Sequence, residues 1–347
     1  MRKKIKKLCH CFVLNMQKIQ IIILMAIALS GNILSVHAQT QPDPDATMLR
    51  ILIASTRQFA ASSDYPKGWF TGQRGKGLVF GILTYKKAKK GFFARLPFLN
   101  GKDWLVDSLF VPHSQNVAQD FARMSGDKDI MLYVHGYRET FESAARSALQ
   151  LSYDINFKDQ VGLFTWPSSG STLDYGYDRE SALWSRLYFK QFLEGLGRSK
   201  DVGDIHIVAH SIGTLLTLET LRDIQIGAER SALSRIGAIV LASPDVDMDI
   251  FQQAVESLGE QAQKITVISA QNDRALALSS LLAGGKRAGM VDRSRLEKLG
   301  VRVADASEFG GRGLNHDLFL SNRDVVQVVR RAMERSRERK NTFLSGR

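Results

Sequence analysis

Apolar residues in this chain fall into short runs separated by longer stretches of helical periodicity. Leu49–Ser55 and Leu78–Tyr85 predict the first two strands, with the Gly- and aromatic-rich stretch Asp64–Gly77 as a loop between them. From Asp129 onward the pattern is regular. Ile130–His135, Val161–Trp166, Ile205–Ala209, Ile236–Ala242, Lys264–Ser269 and Val301–Ala304 predict strands. Between them lie predicted helices over about Thr140–Ile155, Asp178–Leu196 and Asp247–Leu258, and others starting near Ile212 and Arg274. A closing helix from about Asn322 carries Val325, Val326, Val328, Val329 and Met333. Nearly continuous apolar strands alternating with amphipathic helices predict an α/β fold, a mostly parallel central sheet with helices on both faces. Ligands of such sheets bind beyond the C-terminal strand ends. No internal repeat or long linker divides the chain, so residues 39–347 read as one domain. It comprises an N-terminal strand region (about 49–112) and a basic C-terminal helix.

One stretch breaks the pattern abruptly. In Asp204–Ile224 the apolar run Ile205–Ala209 stops at His210-Ser211-Ile212-Gly213. It resumes with helical spacing at Ile212, Leu215, Leu216, Leu218, Leu221 and Ile224. A strand turning sharply into a helix with a Ser at the corner is a nucleophile elbow. Small residues are needed on both sides, because strand and helix backbones approach closely there. Ala209 and Gly213 occupy those places, Ala209 standing where the strict motif has Gly.

Composition changes this picture mainly at the N-terminus. Residues 1–38 hold a basic segment with Arg2, Lys3, Lys4, Lys6, Lys7 and Lys18, the apolar run Ile21–Leu29, and Val36-His37-Ala38 at a small-residue cut. They read as a signal peptide, with Met1 or Met16 as the start. Export places the protein in the periplasm or outside the cell; an uncleaved leader anchored to the inner membrane is the alternative. Six basic and no acidic residues leave with the leader, taking the net charge from +12 to +6. The basic balance then gives little support to nucleic-acid binding. Cys9 and Cys11 leave too, which removes disulfides, Cys-ligated metals and a Cys nucleophile from consideration.

Hydrolases built on such an elbow carry Ser, acid and His in that chain order. After Ser211 the sequence has one histidine, His316, beyond the last predicted strand. The acid is Asp273, after the Lys264–Ser269 strand, or Asp245, after the Ile236–Ala242 strand; Asp273 is favoured. It would hold the His316 tautomer and stabilise the imidazolium. The backbone N–H groups of Ile212 and Tyr137 are the expected oxyanion donors. His135 is expected to brace its loop, and His210 to line the pocket or fill space. The chemistry needs neither metal nor organic cofactor.

Other features read as follows. The Gly-Gln-Arg-Gly-Lys-Gly string lacks the spacing of a phosphate loop. Lys86, Lys87, Lys89 and Lys90 suit a solvated turn. Asp178-Arg179-Glu180 suits a helix start with an internal ion pair, or a substrate clamp. Trp166, Tyr175, Tyr177 and Trp184 suit the core, or an acyl pocket. Gly284–Arg302 is polar and loosely patterned enough to form a lid. The arginines from Arg330 to Arg339 suit a solvated helix end, or a weak contact with an anionic membrane surface.

The strings VHGY, TWPSSGS, DRESALWSR, AHSIG, LASPDVD and SAQNDRALALSS resemble, in this order, an α/β-hydrolase family long catalogued as a domain of unknown function. The resemblance spans about Leu49–Asp317, with Thr165 and Ile212 departing from its usual Ser and Met. It implies an α/β-hydrolase fold and serine hydrolase activity, with Ser211, Asp273 and His316 as triad by position, and it implies no substrate. The expected function is an exported serine hydrolase acting on a small-molecule carboxylic ester or other acyl substrate through an acyl-enzyme. The alternatives are a catalytically silent binding module and an acyltransferase using the same triad.

Overall fold

Strands form where the apolar runs lie: β1 Met48–Phe59, β2 Phe70–Lys87, β3 Trp104–Phe110, β4 Ile130–Val134, β5 Gln160–Thr165, β6 Ile205–His210, β7 Ile236–Ala242, β8 Ile265–Ser269 and β9 Arg302–Asp305. The computed structural model describes residues 48–60, 68–87, 104–291, 293–309 and 315–345. The expected leader (1–38) lies outside them, as do Lys89, Lys90 and residues 310–314 just before His316. Among the described residues, no helix is long and apolar enough to cross a membrane.

One sheet takes all nine strands in the order β3-β2-β1-β5-β4-β6-β7-β8-β9. From β1 through β9 neighbouring strands run parallel, while β2 is antiparallel to both β1 and β3. The expected α/β architecture is present. Two details differ at its N-terminal edge. β3 was expected only as part of a strand region, and its pattern is weak because this edge strand buries only Trp104. It places the elbow after the sixth strand in chain order rather than the fifth.

The glycine string is the second difference. It is strand β2, not a loop. A Cβ at Gly72 would meet the Ser169 Cα at 2.9 Å, and one at Gly75 the Arg57 carbonyl at 2.7 Å. These glycines admit neighbouring backbone into a bulged strand pair. Lys86 and Lys87 likewise stand on the strand, Lys86 paired with Asp107 at 3.0 Å and Lys87 over the Trp104 and Tyr153 rings.

Helices cover both faces. On one, helices Val117–Ser125, Arg186–Arg198, Ile212–Ile226 and Met248–Leu258 enclose a core with Phe121, Phe164, Phe192 and Phe251. On the other, helices Phe141–Asp154 and Arg323–Ser345 pack Ala144, Ala148, Val325, Val326 and Val329 on the sheet. The predicted helix over Asp178–Leu196 is two helices, Tyr175–Trp184 and Arg186–Arg198. At the break, Ser185 donates its hydroxyl to the Ser181 carbonyl at 2.8 Å and meets Thr56 Oγ1 at 2.9 Å. A Ser side chain satisfying the preceding turn favours such a bend. The C-terminal basic helix is tied to the fold: Arg337 pairs with Asp129 at 3.0 Å and with Asp159, and Lys340 with Asp204 at 3.0 Å.

An unexpected charge lies inside. Arg57, beyond Ser55 and Thr56 at the end of the apolar run of β1, is 1% exposed. It donates to Thr165 Oγ1 at 2.7 Å and to the carbonyls of Glu139 (2.7 Å), Ser168 (2.9 Å) and Thr71 (3.3 Å). Burial lowers its pKa to about 10, and the Asp178 charge opposes that shift, so it remains a cation at neutral pH. Removing one member of a buried charged network strands its partners. Arg57→Ala is therefore expected to cost about 3–5 kcal/mol of unfolding free energy. Urea denaturation checks this, and a loss below about 1 kcal/mol would show that the loops are held by other means.

Candidate active site

The elbow is where β6 ends. Ser211 adopts φ 51°, ψ −125°, a backbone conformation unfavourable for a residue with a side chain. Its N–H donates to the Ala242 carbonyl on β7 at 3.0 Å, and its carbonyl accepts from Thr214 N at 3.0 Å. Helix Ile212–Ile226 starts at the next residue. All six apolar positions expected to be buried on this helix are at most 3% exposed, and Thr214, Thr217 and Thr220 are buried as well. The helix is enclosed on more than one side because other helices pack against it as the sheet does.

Two glycines set how closely the neighbouring chain approaches. A Cβ on Gly213 would lie 2.3 Å from the His135 carbonyl oxygen. One on Gly136 would lie 2.9 Å from Ser211 Cβ and 2.8 Å from His210 Nδ1. The His-Gly-Tyr loop after β4 is therefore packed directly on the elbow. His135 braces that loop, as expected. Its Nδ1 lies 2.9 Å from the Gly136 carbonyl, and its Nε2 lies 3.1 Å from the Trp166 N–H. The ring stacks on Trp166 with centroids 4.7 Å apart. Burial, reinforced by the Arg57 charge, pushes the His135 pKa well down, so the ring is neutral.

Asp178 stands in a helix start, as expected, but its carboxylate serves neighbouring loops rather than an internal ion pair or a substrate. It is fully buried in the first turn of helix Tyr175–Trp184. It accepts from Arg138 N at 3.0 Å, Ser169 N at 2.8 Å and Ser168 Oγ at 2.5 Å. One carboxylate thus joins the loops after β4 and β5.

The two candidate acids have different partners. Asp273 caps helix Arg274–Ala283, its Oδ1 accepting from Ala275 N and Leu276 N at 3.0 Å each. Its Oδ2 lies 2.8 Å from His316 Nδ1. Asp273 is fully buried, and the His316 side chain is 15% exposed. With Nδ1–H donating to Asp273, Nε2 is left to take up a proton. Burial disfavours the imidazolium, but the hydrogen bond and charge of Asp273 outweigh it and raise the His316 pKa. Asp245 instead pairs with buried Arg287 at 3.2 Å and accepts from Ser279 Oγ at 2.5 Å and Tyr175 Oη at 3.1 Å.

The backbone of His316 is also fixed. Its carbonyl accepts from Ser243 Oγ at 3.1 Å and lies 3.3 Å from His210 Nε2. The His210 ring sits between His316 and Phe319, 4.7 Å from each. Burial, then the nearby His316 charge, lowers its pKa to about 4, so His210 is neutral where His316 titrates.

Ser211, His316, His210, Tyr137, Tyr175 and Asp245 line one cleft of about 400 Å³, with Arg138, Glu139 and Ser143 from the loop and helix after β4 and Leu278 and Leu282 from helix Arg274–Ala283. Of the four aromatics considered, only Tyr175 reaches it. Trp166 is fully buried, Tyr177 bonds the Gly72 carbonyl, and Trp184 packs on Tyr188. The expected lid is tied down at its start, where Ala288 N donates to the Val246 carbonyl and Gly289 N to that of Pro244. Nothing in the sequence pattern points to Ser279 or Arg287, and the one signal for Arg57 is a charge just beyond the apolar run of β1. Among the described residues no group of His, Cys, Asp or Glu is placed to hold a metal ion.

No curated protein matches the chain. Among solved structures, Est1E from Butyrivibrio proteoclasticus aligns over 74% of this chain and 95% of its own at 11% identity, TM-score 0.39. An esterase from the archaeon Pyrobaculum calidifontis aligns over 86% and 85% at 12% identity, TM-score 0.32. Brefeldin A esterase, a bacterial homologue of human hormone-sensitive lipase, aligns over 88% and 81% at 13% identity, TM-score 0.35. Residues 113–335, most of the chain, match the family described as alpha/beta hydrolase of unknown function (DUF900), and the protein belongs to that family.

Proposed function

We propose that the protein is an exported serine hydrolase that cleaves a carboxylic ester through an acyl-enzyme. The observation that carries this reading is that His316, paired with buried Asp273 at 2.8 Å, lines the same cleft as the strained Ser211. In the proposed cycle Ser211 Oγ attacks the acyl carbonyl as its proton passes to His316 Nε2. Asp273 holds the ring tautomer and stabilises the imidazolium. The oxyanion is held by Ile212 N, at the positive end of helix Ile212–Ile226, and by Tyr137 N. When the intermediate collapses, His316 returns its proton to the departing alkoxide. Water then repeats the sequence on the acyl-enzyme, releasing the acid and restoring Ser211. Export rests on residues 1–38, with the periplasm or the exterior as destination.

A fluorophosphonate probe is expected to label wild type and to leave Ser211→Ala and His316→Ala unlabelled, with ester kcat reduced about 10⁴-fold or more. A folded wild type that neither labels nor hydrolyses any ester would favour a silent binding module. An added alcohol that captures the acyl group ahead of water would move the reading to acyl transfer.

The two acids are separable by titration. A raised His316 pKa means that kcat/KM rises with pH through a value above the ordinary histidine value of about 6.5. For stability the sign is opposite: the stabilising Asp273–His316 charge pair is fully formed below about pH 6.5 and is lost as pH rises through the folded-state pKa. Asp273→Asn is expected to shift the His316 NMR titration downward. Asp245→Asn, which removes only a weaker and more distant charge, is expected to lower that titration by much less and to cost about 3–5 kcal/mol in stability by stranding Arg287. The reverse pattern would make Asp245 the acid.

A further inference from the structure

Helix Arg274–Ala283 is turned the wrong way for an ordinary surface helix. Only Leu276 and Ser279 are buried along it. Leu278, Leu281 and Leu282 are 58%, 83% and 64% exposed. Positions i, i+3 and i+4 share one helix face, so these three side chains form a single apolar strip. Singly exposed leucines are ordinary, whereas a strip beside a cleft marks a place where apolar matter is held.

Polar contacts fix this orientation. Ser279 donates to Asp245 Oδ1 and meets Arg287 Nε at 3.1 Å and Tyr175 Oη at 2.9 Å. Asp273 caps the first turn. Rotating the helix to bury the leucines would pull Ser279 out of a buried ion pair and disturb the residue that holds His316. The fold therefore keeps the strip outward.

The strip is continuous with the cleft. Leu278 and Leu282 line the same cavity as Ser211, and Thr172, beside the 91% exposed Leu173, lines it too. The loop and helix after β4 contribute a different lining, the polar Arg138, Glu139 and Ser143. Resting on the serine-hydrolase reading, we infer that the substrate is an amphipathic ester whose aliphatic chain lies along Leu278 and Leu282, its polar part facing Arg138 and Glu139. The occupant of the strip is the substrate chain itself, because a group bonded to Ser211 Oγ starts in the cavity those leucines line.

Burying a methylene stabilises binding by about 0.8 kcal/mol, roughly fourfold in affinity, and an open strip realises part of that per carbon. Two series of chromogenic esters, one lengthened on the acyl side and one on the alcohol side, read this directly. In one series, kcat/KM of the wild-type protein is expected to climb at least tenfold from the two-carbon to the ten-carbon member. The double variant Leu278→Ser, Leu282→Ser is expected to lose most of that ratio. Ile226→Ser, at a 70% exposed position on another helix, is expected to keep it.

A wild type that hydrolyses acetate esters and shows flat profiles in both series would overturn the inference while leaving the serine hydrolase standing. So would variants that keep the full ratio. Flat profiles with sedimentation as a dimer that Leu281→Ser disperses would give the strip to a second copy instead. Absence of both probe labelling and hydrolysis of any ester would remove the underlying reading and this inference with it.

Discussion

The arrangement depends first on the backbone of one residue. Ser211 sits at φ 51° although it carries a side chain, and such conformations cost of order 1–3 kcal/mol. The cost is met by packing that leaves no alternative path for the chain. β6 is paired on both sides in a parallel sheet, and helix Ile212–Ile226 is enclosed almost all round. The Gly136 and Gly213 contacts leave no room for another atom on either flank. The Ala209 substitution is compatible with this because the tight contacts fall on Gly213 and Gly136, and Ala209 itself fits fully buried in β6.

Around that corner the molecule uses buried polar groups as struts. Arg57, His135 and Asp178 join β1, β2 and the loops after β4 and β5, the segments that bring Tyr137 to the cleft. On the other side Asp273 and Asp245 divide two duties that their positions at neighbouring strand ends would let either perform. Asp273 meets an imidazole and Asp245 meets a guanidinium. The difference lies in what each faces across the cleft rather than in the acids themselves. Placing Arg287 beside Asp245 supplies a counter-charge and occupies that carboxylate, while Asp273 retains one oxygen for an imidazole whose pKa it raises.

Helix Arg274–Ala283 couples these elements. Its N-cap orients His316, its inward Ser279 joins the Asp245 cluster, and its outward leucines border the cleft. Orientation of the proposed base and the character of the cleft wall are thus set by a single rigid element.

Much of this was legible in the sequence because it is local. Apolar runs of strand length alternating with helical periodicity specify a parallel sheet with two covered faces, and Ser between small residues at a strand–helix junction specifies an elbow. Elimination singled out His316 as the candidate base, since the chain order of such hydrolases leaves no other histidine after Ser211. What needed the tertiary structure is non-local. Asp273 and Asp245 both follow strands in the sequence, and their partners separate them: His316 for Asp273, and for Asp245 the Arg287 side chain 42 residues further on. The Gly72–Gly77 string reads as a loop until the backbones of Arg57 and Ser169 are seen against it. Asp178 reads as part of a helix start, which it is, but that its carboxylate also joins the loops after β4 and β5 is visible only once they are in place. Exposed Leu278 and Leu282 have the same composition as buried ones, and their direction follows from a polar cluster assembled by distant segments. Periodicity reports which face a segment can bury by itself; which face it does bury, and which charge meets which, is decided by partners that the chain brings together only on folding.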